Sequence, residues 1–363
     1  MNKVRVGIIG IGNCASSLVQ GVHYYRDADA GERVPGVMNV DLGGYQIKDI
    51  EFVCAFDIDR RKVGKDISEA VFAKPNNTTI FAPNLPNTCC MIHKGNPLDG
   101  VGEYLKDVVE IADEETADVV SIIRETKVDV LVNYLPVGSE NAAKWYAQKA
   151  IEAGVAFVNA ITVFIASNAE WGEKFRKAGL PVLGDDIKSQ VGATILHRVL
   201  TNLFLDRGMP IDHTYQLNVG GNTDFQNMLQ RSRLESKKIS KTGAVTSQIR
   251  NRGETIDDKD VHVGPSDHVP WLSDNKVCYL RIQGRHWGDV PMDVECRLSV
   301  EDSPNSAGVI ADAVRLAKLA KDAGLAGPII EPSSYLFKTP PVQYTDTEAR
   351  DMTQKFIKDY GKK

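Results

Sequence analysis

Residues Val4–Ile9 form an apolar run that breaks at Gly10-Ile11-Gly12-Asn13-Cys14-Ala15 and passes into a helical pattern from Ser16 to Tyr24. Strand, glycine-rich turn and helix in immediate succession constrain the fold more than any other stretch of the chain. Ala15 takes the third small position of a G-x-G-x-x-G/A turn, in which two glycines allow a tight bend and close backbone approach. The helix that follows points its N-terminus at whatever sits on the turn, and an anion such as a pyrophosphate suits that position. Gly10, Gly12, Asn13, Cys14 and Ala15 are therefore candidate dinucleotide-binding residues. The same run is too short to span a bilayer and reads as a buried strand, which points to a cytoplasmic protein.

The second strand arrives late. A polar, glycine-containing insertion occupies residues 26–50 before Glu51-Phe-Val-Cys-Ala-Phe-Asp57. A carboxylate at the end of this strand accepts hydrogen bonds from ribose hydroxyls and repels a 2′-phosphate, so Asp57 favours NAD. Arg60 and Arg61 close by leave NADP open on spacing alone. The alternation continues with expected strands at 88–93, 128–135, 156–160 and 181–183, and with a helix from Ser139 to Ala153. Short apolar strands separated by helices indicate a doubly wound parallel sheet whose ligands sit at strand ends. This places Pro136, Ser139, Asn159, Asp186, Lys188 and Ser189 at a cleft. Asp185 and Asp186 also read as caps for a helix from Val191 to Phe204.

From Asp212 the character changes. Val290, Met292, Val294, Cys296, Leu298 and Val300 alternate with polar or less apolar neighbours, the mark of a strand with one buried face. With 214–219 and 277–283 it builds an open, largely antiparallel sheet. Leu217 to Thr242 carries the densest chemistry: Asn218, the Gly220-Gly221 turn, Asn222 and Asp224, then Lys237, Lys238 and Lys241. Lys237 and Lys241 are four apart and share a face if helical, and two ammonium groups on one face repel unless an anion lies between them. That arrangement suits a phosphorylated or enolate-forming substrate. Residues 242–267 are polar and read as a mobile loop. His262, Asp267 and His268 have no standard metal spacing. A helix starting at Asp302-Ser-Pro-Asn-Ser-Ala, followed by an apolar, proline-rich segment at 328–341, returns the chain to its first half.

The fold expected is α/β: a doubly wound Rossmann-type parallel sheet (residues 1–200 plus 301–363) with an inserted α+β domain (201–300). With 363 residues, 42% apolar and 25% charged, a core of this size is ordinary, and a net charge of −5 argues against nucleic-acid or membrane-surface partners. Six cysteines without C-x-x-C spacing read as reduced.

Six segments together resemble the myo-inositol-1-phosphate synthase (inositol-3-phosphate synthase) family in its short bacterial form. They are GIGNCASSLVQG from Gly10, NYLPVGSE from Asn133, GDDIKSQVGAT from Gly184, LNVGGNTDF from Leu217, SKKISKT from Ser236 and DSPNSAG from Asp302. The resemblance implies a tetrameric enzyme that turns D-glucose 6-phosphate into inositol phosphate with tightly held NAD, and it allows a divalent or monovalent cation. By the same resemblance Lys237, Lys241, Lys276 and Lys338 are catalytic with Asp302, while Asp186, Asn218, Asn222 and Asp224 contact substrate. A lysine among other cations is expected to have a depressed pKa and to serve as a base. Lys276 is assigned to the C5 oxygen, Lys237 and Lys241 to an enolate, and Lys338 to the C1 oxygen. An NAD(P)-dependent dehydrogenase of a sugar or amino acid and an NAD-sensing regulator are the competing readings.

Overall fold

The computed structural model describes residues 3–28, 33–233 and 235–361. Seven parallel strands form the main sheet. Across it they run Gly327–Pro328, Pro181–Gly184, Ala156–Asn159, Val130–Asn133, Val4–Ile9, Ile50–Asp57 and Ile92–Lys94. Strand order reverses at Val4–Ile9, whose neighbours are the second strand on one side and Val130–Asn133 on the other. Ligands of doubly wound sheets bind outside the strand ends at this reversal. The central strands are buried on both faces, which is why they read as nearly continuous apolar runs.

The expected strand at 88–93 is shorter than its sequence pattern. Only Ile92–Lys94 joins the sheet, because Thr88 turns to hydrogen-bond the carboxylate of Asp66. The helix Asp302–Asp322 crosses behind the sheet, its buried Val309, Ile310, Val314 and Leu316 facing the Asn13–Tyr24 helix and the strands. Buried Arg315 donates to the carbonyls of Asn39, Val40 and Tyr45, fastening the described part of the 26–50 insertion to this helix.

A second sheet has four strands in the order Val261–His268, Ile211–Gly220, Asn275–His286 and Val290–Glu301. The first pair is parallel and the other two are antiparallel. Phe204 and Ile249, from the helices Ala193–Asp206 and Glu235–Arg250, pack with Ile211, Cys278, Leu280 and Ile282 on one face. The alternating residues Met292, Val294, Cys296 and Leu298 close the same core.

Residues 242–267 are not a loop. They hold most of the Glu235–Arg250 helix and most of the Val261–His268 strand. The helix is hard to see because its buried positions include Ser240, Lys241, Thr246 and Gln248, which leave no apolar stripe. Among the described residues, no helix is long and apolar enough to cross a membrane. All six cysteines are free thiols.

Candidate active site

The glycine-rich turn lies where the strand order reverses. Gly10 has φ +85°, and a Cβ there would come within 2.8 Å of the Tyr134 carbonyl on the neighbouring strand's exit. Only glycine tolerates both conditions. A Cβ on Gly12 would meet nothing within 4 Å, so this part of the turn faces open space. Gly12 also stands at the N-cap of the Asn13–Tyr24 helix without a side-chain cap. Asp57 closes the turn from the next strand, its carboxylate accepting from the Ile11 amide at 2.6 Å and from the amides of Ile58 and Asp59 at 2.7 and 2.9 Å. Arg61 is bound to Asp59 and Arg60 to Glu110 and Asp113.

From this turn a cavity of about 310 Å³ extends to the second sheet. Gly10, Gly12, Asn13, Cys14, Ala15, Asp57, Pro136, Ser139, Asp186 and Ser189 line it around the glycine-rich turn and the neighbouring strand ends. Asn222, Asp224, Lys241, Lys276, Asp302 and Lys338 line it as well. These residues come from positions as distant as 10 and 338 in the chain, and the fold brings them to one space.

Lys276 leaves the start of the Asn275–His286 strand and meets Asp302 at 3.1 Å. Burial pulls its pKa down, but the charge and hydrogen bond of Asp302, with Asp224 adding, hold it above the ordinary lysine value. The depressed pKa expected from neighbouring cations is therefore not found at Lys276, which is a persistent cation. Lys338 meets Asp186 at 2.7 Å, and its amide donates to the Asp186 carbonyl at 2.7 Å. Asp186 has φ +61° and also accepts from Ser240 on the lysine helix at 2.6 Å. Lys241, one residue on, is buried. Asn222 ends the Gly-Gly turn: a Cβ on Gly221 would lie 2.5 Å from the Ser273 amide, so the two segments touch backbone to backbone. The Asn222 oxygen caps the Thr223–Asn227 helix, and its amide turns to Asp274 at 2.8 Å.

Three expected site residues, Lys188, Asn218 and Asn159, do not line this cavity. Lys188 is buried away from the cavity and donates to the carbonyls of Ser334 and Tyr335 and to Asp346. Asn218 does not line the cavity, because it lies within the second sheet, donates to the Gly264 carbonyl at 2.6 Å and accepts from Gln216. Lys237 falls in the Glu235–Arg250 helix, but its side chain is outside the described residues. Asp185 is no cap either: Gly192 precedes the helix at Ala193, and Asp185 receives Asn159 and the 165–167 segment. Burial pushes its carboxyl up to about 6 in spite of those donors. Asn159 itself does not line the cavity; it is held by Asp185 and the Val163 carbonyl.

Sequence reasoning missed Lys62, Asn76, Asp274 and Ser303. Lys62 and Asn76 both donate to the Ile11 carbonyl and so brace the turn from beyond Asp57. Asp267, His262 and His268 do not converge; among the described residues no group of three His, Cys, Asp or Glu side chains is placed to hold a metal ion.

The fold and this cavity define a dinucleotide-fold protein whose reaction chamber gathers lysines and carboxylates beside the glycine-rich turn. Residues 192–303 match the family model described as myo-inositol-1-phosphate synthase. The chain is 59% identical to the inositol-3-phosphate synthase of Mycolicibacterium smegmatis over 356 residues, 98% of each chain. It is 55% identical to that of Corynebacterium glutamicum, again over 98% of each. In fold, a solved myo-inositol-1-phosphate synthase-related protein from Thermotoga maritima has a TM-score of 0.82 at 24% identity, covering 99% of this chain and 100% of its own. The chain belongs to the inositol-3-phosphate synthase family.

Proposed function

We propose that this enzyme is a cyclase that converts D-glucose 6-phosphate into inositol 3-phosphate, with NAD held through the cycle. One observation carries the reading: the dinucleotide turn lines the same cavity as Lys241, the Lys276–Asp302 pair and the Lys338–Asp186 pair. The amides after Gly10 and Gly12 and the residues Pro136, Ser139 and Ser189 would hold NAD, with Asp57 facing the adenosine ribose. NAD, when bound, supplies a hydride acceptor and then a hydride donor at C5 of the sugar.

The protein supplies the charges and protons. Lys276, kept protonated by Asp302, hydrogen-bonds the C5 oxygen. It polarises the ketone left when the hydride and the hydroxyl proton have gone, and it balances the charge of the enolate formed as a C6 proton passes to the substrate's phosphate dianion. Fixed cations in a site that excludes water are worth several kcal/mol more than the same charges in solvent. Lys241, with Lys237 on the same helix, holds the enolate and the phosphate. Lys338, oriented by Asp186, gives a proton to the C1 oxygen as C6 attacks the aldehyde. Asn222 and Asp224 take substrate hydroxyls. A dehydrogenase needs one acid or base near its hydride, whereas two oxygens gaining charge in turn and a phosphate account for several ammonium groups. The tetramer, a cytoplasmic location and an inserted unit over 201–300 belong to the same proposal.

Incubation of the full chain with glucose 6-phosphate and NAD tests it. Inositol phosphate should form without a rise in NADH absorbance. NADH formed in step with substrate loss would assign a dehydrogenase instead.

A further inference from the structure

One carboxylate sits where three pieces of the cavity wall meet without lining the cavity. Asp274 is fully buried. Its Oδ1 accepts from Asn222 Nδ2 at 2.8 Å, from Asn13 Nδ2 at 3.0 Å and from Ser303 Oγ at 3.0 Å. Its Oδ2 accepts from the Ser303 amide at 3.1 Å, and its carbonyl accepts from the Asp302 amide at 2.9 Å. The donors come from three working parts. Asn13 opens the helix behind the glycine-rich turn, Asn222 ends the Gly-Gly turn beside substrate, and Asp302 and Ser303 open the 302–322 helix that presents the partner of Lys276.

The location explains why a carboxylate is needed. Lys276 is two residues further along the same segment, so Asp274 fixes the start of the strand that carries it. All of the hydrogen bonds to its side chain come from donors, and a carboxylate is the one side chain of this size that offers only acceptors. Asn13 is itself fixed by the Asn77 amide at 2.8 Å, so the network has no slack at the cofactor end. Burial and the nearby charge of Asp302 raise its pKa, while Asn222, Thr78 and Ser303 oppose that rise by stabilising the ionised form.

We infer that Asp274 is a positioning residue for the reaction: it sets the distance between the cofactor turn and the Lys276–Asp302 pair. The inference rests on the functional reading above. A misplacement of about 1 Å between reacting groups costs on the order of 10²-fold in rate.

Asp274→Asn, in the full-length protein, turns two donors against the network. Turnover should fall by roughly 10²-fold, with the KM for glucose 6-phosphate little changed. NADH affinity, read from its fluorescence without substrate, and thermal midpoint should stay close to those of the unaltered protein. The isotope effect on turnover with C5-deuterated glucose 6-phosphate should rise, because misalignment slows C–H cleavage relative to the other steps. Normal turnover in the folded variant would overturn the inference, as would a turnover loss matched by lost NADH binding or by no change in isotope effect. If Asp274→Asn does not fold, Ser303→Ala keeps the amide contact and removes one hydroxyl. It should lower turnover less and raise the isotope effect, and an unchanged isotope effect would overturn the inference. Failure of the functional reading is separate: the unaltered protein would then make no inositol phosphate.

Discussion

Lys188 and the cavity lysines Lys276 and Lys338 are set in different surroundings, and they do different work. Lys188 is buried and places three donors on protein: the carbonyls of Ser334 and Tyr335 and the carboxylate of Asp346. Arg198, also buried, binds the other oxygen of Asp346 at 2.7 Å. Lys276 and Lys338 each meet one carboxylate and line the cavity. An ammonium group has three donors. Where the protein takes all three, the lysine is structural; where it takes fewer and the remainder faces a cavity, the charge is available to a ligand. The pKa directions agree. Burial and the charge of Arg198 push Lys188 down to about 8, whereas Asp302 holds Lys276 above its ordinary value. A buried lysine–carboxylate pair is thus not by itself a catalytic signature.

The comparison can be broken on either side. Asp346 is held below the usual carboxylate range because Lys188 and Arg198 outweigh its burial. Asp346→Asn leaves two buried cations without their counter-charge, and breaking such a pair costs about 3–5 kcal/mol of stability. Denaturant unfolding should register that loss while turnover per folded molecule is kept; lost turnover in a protein of normal stability would erase the distinction.

Lys276→Met and Lys338→Met should do the reverse. Each keeps most of the side-chain volume. Turnover should fall by roughly 10²-fold or more with the fold intact, the scale for one electrostatic contact to a developing charge. Near-normal rates in either folded variant would remove that lysine from the mechanism.

A pH titration sharpens the structural side. His197, next to Arg198, is buried with Thr214 and Gln216 on its ring nitrogens, and burial lowers its pKa from 6.5 to about 4. On acidification the unfolded chain takes up this proton first. Stability contributed by the neutral ring is therefore full above pH 6.5 and is lost as pH falls towards about 4, by at most about 1.4 kcal/mol per pH unit. His197→Gln should flatten that part of the stability curve; an unchanged slope would contradict the assignment.

The smallest effect concerns cofactor choice. Arg60 and Arg61 are engaged with acidic partners, and Asp57 faces the turn. NAD should be preferred over NADP, and Asp57→Ala should narrow the preference in competition binding. Equal binding of both by the unaltered protein would refute it.

What was legible in the sequence follows the same division. The strands at 4–9, 50–57, 130–133 and 156–159 are buried on both faces, and a chain can bury them only as apolar runs. The turn at Gly10 was legible because its geometry excludes other residues. The lysine helix was not, because its buried side mixes polar residues with apolar ones: Ser240 serves Asp186 and the Ala244 carbonyl serves Arg198, beside buried Val245 and Ile249. Lys188 was misplaced because the end of a strand does not say which way the chain turns next. Asp274 was invisible because its partners stand at 13, 222 and 303, and no spacing links them.

The central claim is that the redox partner is used and restored within one turnover, so product and substrate have the same oxidation level. Glucose 6-phosphate carrying deuterium at C5, turned over in excess unlabelled NADH, tests this directly. The inositol phosphate should keep the deuterium at the carbon that was C5. Deuterium appearing in the NADH pool, with unlabelled product, would contradict the account.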